Sequence, residues 1–68
     1  MSDLLLPREI RAARKALGYS LMELAEALHM DKNGADRIRE WEHGEREITG
    51  PASVAIRLML AASSSSRP

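Results

Sequence analysis

The sequence predicts an all-α fold, a compact bundle of four to five short helices. Three observations carry that prediction. Apolar residues recur at three- and four-residue intervals, the period of a helix rather than a strand. The windows are bracketed by helix starts and stops: Pro7, Gly18, Ser20, Gly44 and Thr49-Gly50-Pro51. Strand signals are missing, since the chain has one Trp, one Tyr and no Phe, and no β-branched residues alternate.

The first helix is expected to open at Pro7, a residue suited to a first helical position. Leu6, Ile10, Ala13 and Leu17 form its apolar face, and Gly18 supplies the stop. Ser20 caps the second helix, with Glu23 three residues later completing an S-x-x-E capping box. Leu21, Leu24, Ala25 and Leu28 share its inner face, and Met30 points inward from the turn that follows. Asp31 or Asn33 opens the third helix, both being good caps; the Asn33-Gly34 pair also favours a turn. Ile38 and Trp41, one turn apart, anchor that helix, Gly44 ends it, and Ile48 anchors the loop beyond. The last helix begins at Thr49-Gly50-Pro51 and runs to about residue 62. The domain is thus read as 1–62, with 63–68 a disordered polar tail.

Bulk properties narrow the function. A chain of 68 residues builds one small core, so association with a second copy is the expected supplement. With no Cys, disulfides and Cys-based zinc sites are excluded. His29 and His43 lack a nearby ligand set, so no metal and no cofactor is expected. The formal net charge is zero, which conceals an N-terminal third holding Arg8, Arg11, Arg14 and Lys15. "MSDLLLPREI" is too short and too acidic for a signal peptide. No apolar run approaches the ~20 residues of a membrane span. A cytoplasmic protein without membrane contact is expected. There are no paired carboxylates in a plausible cleft, no Gly-rich phosphate loop and no Ser-His-acid set, so enzymatic activity is not expected.

A capped short helix, a tight turn and a second polar helix make a helix-turn-helix. "GYSLMELAEAL…IREWEHGEREI" resembles the Cro/repressor-type (xenobiotic response element) family, through G-x-S-x-x-E-L-A-x-x-L followed by an apolar residue and I-x-x-W-E-x-G. The likeness runs from Ile10 to Leu60. The ending "W-E-x-G-E-R-x-I-x-G-P" is similar to small repressors of phages and mobile elements, including anti-CRISPR-associated regulators. The resemblance implies a lambda-repressor-like fold. Three features depart from the family pattern. Leu21 stands where Gln often contacts a phosphate, His29 stands where Gly usually precedes the apolar turn residue, and the Met30–Ile38 connection is about three residues longer.

The resemblance implies that Arg14 and Glu42 form a structural ion pair joining the first helix to the end of the third. It also implies that the N-terminal end of the third helix enters the major groove. With Ile38 and Trp41 inward, Asn33, Asp36, Arg37, Arg39 and Glu40 become the base-reading candidates. Arg can pair with guanine, Asn with adenine, and acids accept from cytosine. Lys32, Tyr19 and Ser20 are candidate phosphate contacts, although Ser20 also serves as a cap and Tyr19 can instead pack. His43 and Arg46 lie where the family touches the sugar-phosphate backbone.

The last helix carries apolar residues nearly all round, and such a helix needs a second surface to cover it. The expectation is that Val54, Ala55 and Leu58 face the core while Ile56, Met59 and Leu60 form a homodimer interface. The function expected is a dimeric repressor reading an inverted repeat in double-stranded DNA, bacterial or phage-encoded and acting on its own operon, with no small-molecule ligand. The alternative is a protein-interaction module or antitoxin on the same scaffold.

Overall fold

The computed structural model describes residues 4–65, the last two by backbone alone. It is all-helical, with four helices among the described residues: α1 (Pro7–Leu17), α2 (Leu21–Ala27), α3 (Gly34–Glu42) and α4 (Gly50–Ser65). No described helix is long and apolar enough to cross a membrane.

The first two helices begin and end where the punctuation residues stand. Glu9 Oε1 accepts from the Leu6 N–H at 2.7 Å, and Gly18 takes the left-handed conformation (φ 76°) that closes α1. Ser20 Oγ accepts from Glu23 N–H at 3.1 Å while Glu23 Oε1 accepts from Ser20 N–H at 2.8 Å. That reciprocal pair satisfies two N-terminal donors of a helix only seven residues long.

The core is Ile10 and Ala13 of α1, Leu24 and Ala25 of α2, Ile38 and Trp41 of α3, Ile48 of the loop and Ile56 of α4. Thus α1 lies against both α3 and α4, whereas α2 packs chiefly on α3. Trp41 is 2% exposed, which makes it a core residue. Its indole N–H meets no acceptor among the described residues.

In α4 the expected faces are exchanged. Ile56 is fully buried in the chain's own core, and Met59 and Leu60 are partly buried against it. Val54 and Leu58, expected inside, are 55% and 65% exposed, and Ala55 is half-buried. The cause is Ser53. It is 1% exposed, and its Oγ accepts from the Leu5 N–H at 3.1 Å, stitching the segment before α1 to α4. Ser53, Ile56 and Leu60, spaced three and four apart, define the inner stripe. Reading Ser53 as an outward polar residue turns the helix the wrong way.

Helix α4 also continues to Ser65, so 63–65 are helical rather than tail; residues 66–68 lie outside the described residues. Thr49 caps it, with Ala52 N–H donating to Thr49 Oγ1 at 3.3 Å and Ser53 N–H to its carbonyl at 3.0 Å.

Candidate nucleic-acid interface

Helix α3 has two opposed faces because its residues step 100° apart. Gly34, Ile38 and Trp41 form the inner stripe, all buried. Asp36, Arg39, Glu40 and His43 fall opposite; all are exposed except Glu40, which is half-buried. The inner stripe fixes the helix against the core, so the outer ridge sits on a rigid support.

The uncertain start of this helix resolves in favour of a preceding loop. Residues 28–33 connect α2 to α3, and the extra length lies there. Asp31 Oδ1 accepts from the Asn33 N–H at 3.0 Å, and the Asp31 carbonyl from Gly34 N–H at 2.9 Å. Asn33 occupies the cap position but its side chain makes no capping bond. Its amide is therefore uncommitted, exposed at the N-terminal end of α3 beside Lys32.

His29 adopts φ 58° in the same connection. The turn thus places a residue with a side chain in the left-handed region, at a steric cost. The bonds from His29 N–H to the Glu26 carbonyl (3.0 Å) and from Met30 N–H to the Ala25 carbonyl (2.9 Å) hold it there.

Gly34 is the residue that the sequence reading missed. A Cβ at that position would lie 2.6 Å from Met30 Cβ and 2.9 Å from Ala25 Cβ. The start of α3 touches α2 and the turn so closely that only Gly fits. The Asn-Gly pair signalled a turn, and that signal hid the packing role. Met22, the second residue of α2, was also missed. It is 67% exposed and borders a shallow cleft with Glu26, Met30, Asp31, Lys32 and Ala35. Its position off the Leu21–Leu24–Ala25–Leu28 face was the available sign.

The other candidates separate into groups. Arg37 is exposed but lies off the ridge, lining a cleft of about 350 Å³ with Leu28, His29, Thr49 and Ala52. Glu40 and Arg46 engage one another, Arg46 Nε donating to Glu40 Oε1 at 3.1 Å. The loop after α3 makes this possible, since Glu45 and Arg46 N–H both donate to the Glu40 carbonyl. With side chains 57% and 39% exposed, the pair adds little stability but partly neutralises two candidate contacts. The Ser20 hydroxyl is occupied as a cap, and Tyr19 is half-buried against the core.

Arg14 and Glu42 meet as expected. Arg14 Nε lies 2.7 Å from Glu42 Oε2 and its Nη2 3.1 Å from Oε1, a two-pronged contact. Arg14 Nη1 also donates to the Tyr19 carbonyl at 3.1 Å. The hydrogen bond that Arg14 donates to the Glu42 carboxylate holds its guanidinium above its ordinary pKa, against the opposing effect of burial. The side chains are 16% and 5% exposed, so this pair is a structural clamp between α1 and the end of α3, one position before His43.

Among the described residues, no group of three or more His, Asp or Glu is arranged to hold a metal ion. The geometry defines an all-helical protein that presents an exposed, mixed-charge ridge on a short, firmly packed helix. No protein-family model, curated protein or solved structure matches the chain.

Proposed function

We propose that this protein is a sequence-specific DNA-binding transcriptional regulator, a dimeric repressor in which α2 and α3 act as a helix-turn-helix. The observation that carries the reading is the division of α3 into a buried stripe and an exposed one. Asn33, Asp36 and Arg39 stand on the exposed side, Asn33 and Asp36 at the end of the helix that enters the major groove in such folds and Arg39 on the same ridge in its last turn. Arg39 suits guanine and Asn33 suits adenine. Arg37, off the ridge, and the paired Glu40 and Arg46 are secondary.

The dimer contact in this reading is the outer stripe of α4. Val54 and Leu58 are the exposed large apolar residues there, and they replace Ile56, Met59 and Leu60 in that role. No acidic residue lies on α4, and Arg57 is its one charge within 50–65, so two copies meet without a dense like-charge surface. A two-fold dimer would set two copies of α3 about one DNA turn, ~34 Å, apart on an inverted repeat.

The test is Arg39→Ala, an exposed substitution that leaves the circular dichroism spectrum and melting curve unchanged. The expected result is loss of preference for duplexes from the upstream region of its own gene over random duplexes. Unchanged affinity and preference would remove Arg39 from the readers. The alternative, a protein-interaction module or antitoxin, draws on the same exposed Val54 and Leu58. A dimer in isolation that shifts its upstream DNA supports the repressor; a monomer that binds no DNA at low salt supports the alternative.

A further inference from the structure

The proposed reading surface is poor in net positive charge. Glu26 and Asp31 border the cleft beside Lys32, and Asp36 and Glu40 flank Arg39 on the ridge. Attraction to a phosphate backbone supplies much of the affinity of DNA-binding proteins, and this surface alone is badly equipped for it. Helix α1 is different. Ile10, Ala13 and Leu17 turn inward, and at 100° per residue Arg8, Arg11 and Lys15 fall on the opposite side within an arc of about 60°. All three are exposed, and none has a side-chain partner among the described residues. Glu9, the one acid on α1, lies off this stripe and is occupied by the Leu6 N–H.

We propose that Arg8, Arg11 and Lys15 clamp the phosphate backbone of duplex DNA beside the bases read by α3. This rests on the DNA-binding reading above. The spacing fits: the seven steps from Arg8 to Lys15 span about 10.5 Å of helix, and one strand presents a phosphate about every 3.4 Å along the duplex axis, so the stripe reaches across about three phosphate intervals. The position also fits. Arg11 stands one turn before Arg14, whose guanidinium grips Glu42, so the helix that carries the stripe is tied to the end of α3 that bears His43. A membrane surface is a poor occupant, because a helix lying on lipid inserts an apolar face and the apolar face of α1 is in the core.

The experiment measures binding of the full chain to its upstream duplex and to a random duplex across a salt series. Wild type is compared with the triple variant Arg8→Gln/Arg11→Gln/Lys15→Gln and with the three single variants, which serve if the triple variant does not fold. Each phosphate contact contributes about 0.9 to the slope of log K against log salt. The triple variant should therefore be shallower by about 2.7 and each single variant by about 0.9, equally on both duplexes, with the specificity ratio unchanged. Specific binding with an unaltered slope overturns the clamp and leaves the DNA-binding reading standing; a stripe serving an acidic protein would give that result. An equal loss of slope per charge from Arg57→Gln on α4 would make net charge the cause and also overturn it. Wild type that binds neither duplex at 50 mM salt, a concentration low enough to favour phosphate contacts, defeats the DNA-binding reading and the clamp together.

Discussion

Helices α3 and α4 both pack one face on the same core, yet one declares its face in the sequence and the other conceals it. Helix α3 is mostly charged, so Ile38 and Trp41 can only point inward. Helix α4 is apolar nearly all round, and hydrophobicity does not separate its two sides. A single buried hydroxyl does, because Ser53 accepts the Leu5 N–H in the interior. In a helix with little charge, the polar residue that finds a buried partner sets the rotation, and the apolar residues follow.

The largest predicted effect breaks or upholds that assignment in α4. Ile56→Ala removes a fully buried side chain and should cost about 3 kcal/mol, much of the few kcal/mol that a core this small supplies. Leu58→Ala, on the exposed face, should change the folding stability of the monomer by less than about 0.5 kcal/mol. Urea unfolding at low protein concentration measures both. Comparable losses at the two positions would return Leu58 to the core and undo the exchange of faces.

Next comes the clamp that joins α3 to α1. Glu42→Ala strands the Arg14 guanidinium, which is 16% exposed and retains its bond to the Tyr19 carbonyl. The loss should be about 2–3 kcal/mol, below the full cost of breaking a completely buried pair, and Arg14→Ala should be similar. In the double-mutant cycle the double variant should cost less than the sum of the two single variants, by more than about 1 kcal/mol. An Arg14→Ala variant with an unchanged melting temperature but no DNA binding would turn the clamp into a phosphate contact.

Gly34→Ala probes the approach of α3 to α2. The added methyl meets two Cβ atoms at under 3.0 Å, contacts that only a backbone shift can relieve. Overpacking of this kind costs about 1–3 kcal/mol, here about 2, or a fall in Tm of roughly 8–16 °C for a domain of this size. Ala25→Gly should recover part of the loss by removing one of the two obstructing carbons. A neutral Gly34→Ala would mean that the start of α3 shifts freely, and the fixed support for Asn33 and Lys32 would go with it.

These positions also show what could be read from the residues. Boundaries set by local chemistry were legible: Pro7, Gly18 and the Ser20–Glu23 box each act within a turn of the chain. The Arg14–Glu42 clamp was legible through the family resemblance. Features set by distant contacts were not. Gly34 is required by atoms of Ala25 and Met30, and Ser53 is inward because Leu5 arrives there 48 residues away in sequence. The serines ending α4 suggested a tail, but Ser costs a helix only about 0.5 kcal/mol per residue relative to Ala, and α4 continues to Ser65. Within the candidate interface, the grouping of Asp36, Arg39, Glu40 and His43 follows from helical period. Arg37 falls at the edge of that ridge by the same period, whereas the pairing of Arg46 with Glu40 depends on how the loop after α3 folds back.

The smallest predicted effect has the opposite sign. His29 holds φ 58°, a conformation costing a residue with a Cβ about 1–2 kcal/mol. Gly relieves that cost but adds freedom to the unfolded chain, worth up to about 1 kcal/mol. His29→Gly should therefore stabilise the protein by about 0.5–1 kcal/mol, read as a higher urea midpoint with an unchanged m-value. Because the backbone bonds to Glu26 and Ala25 remain, the spacing of α2 from α3 should persist, and DNA preference should not change. A destabilised variant would show instead that the imidazole contributes more than its backbone strain removes. The cleft it lines with Leu28 and Arg37 is where that contribution would be sought, which would tie the one strained side chain of the connection to the residue withdrawn from the ridge.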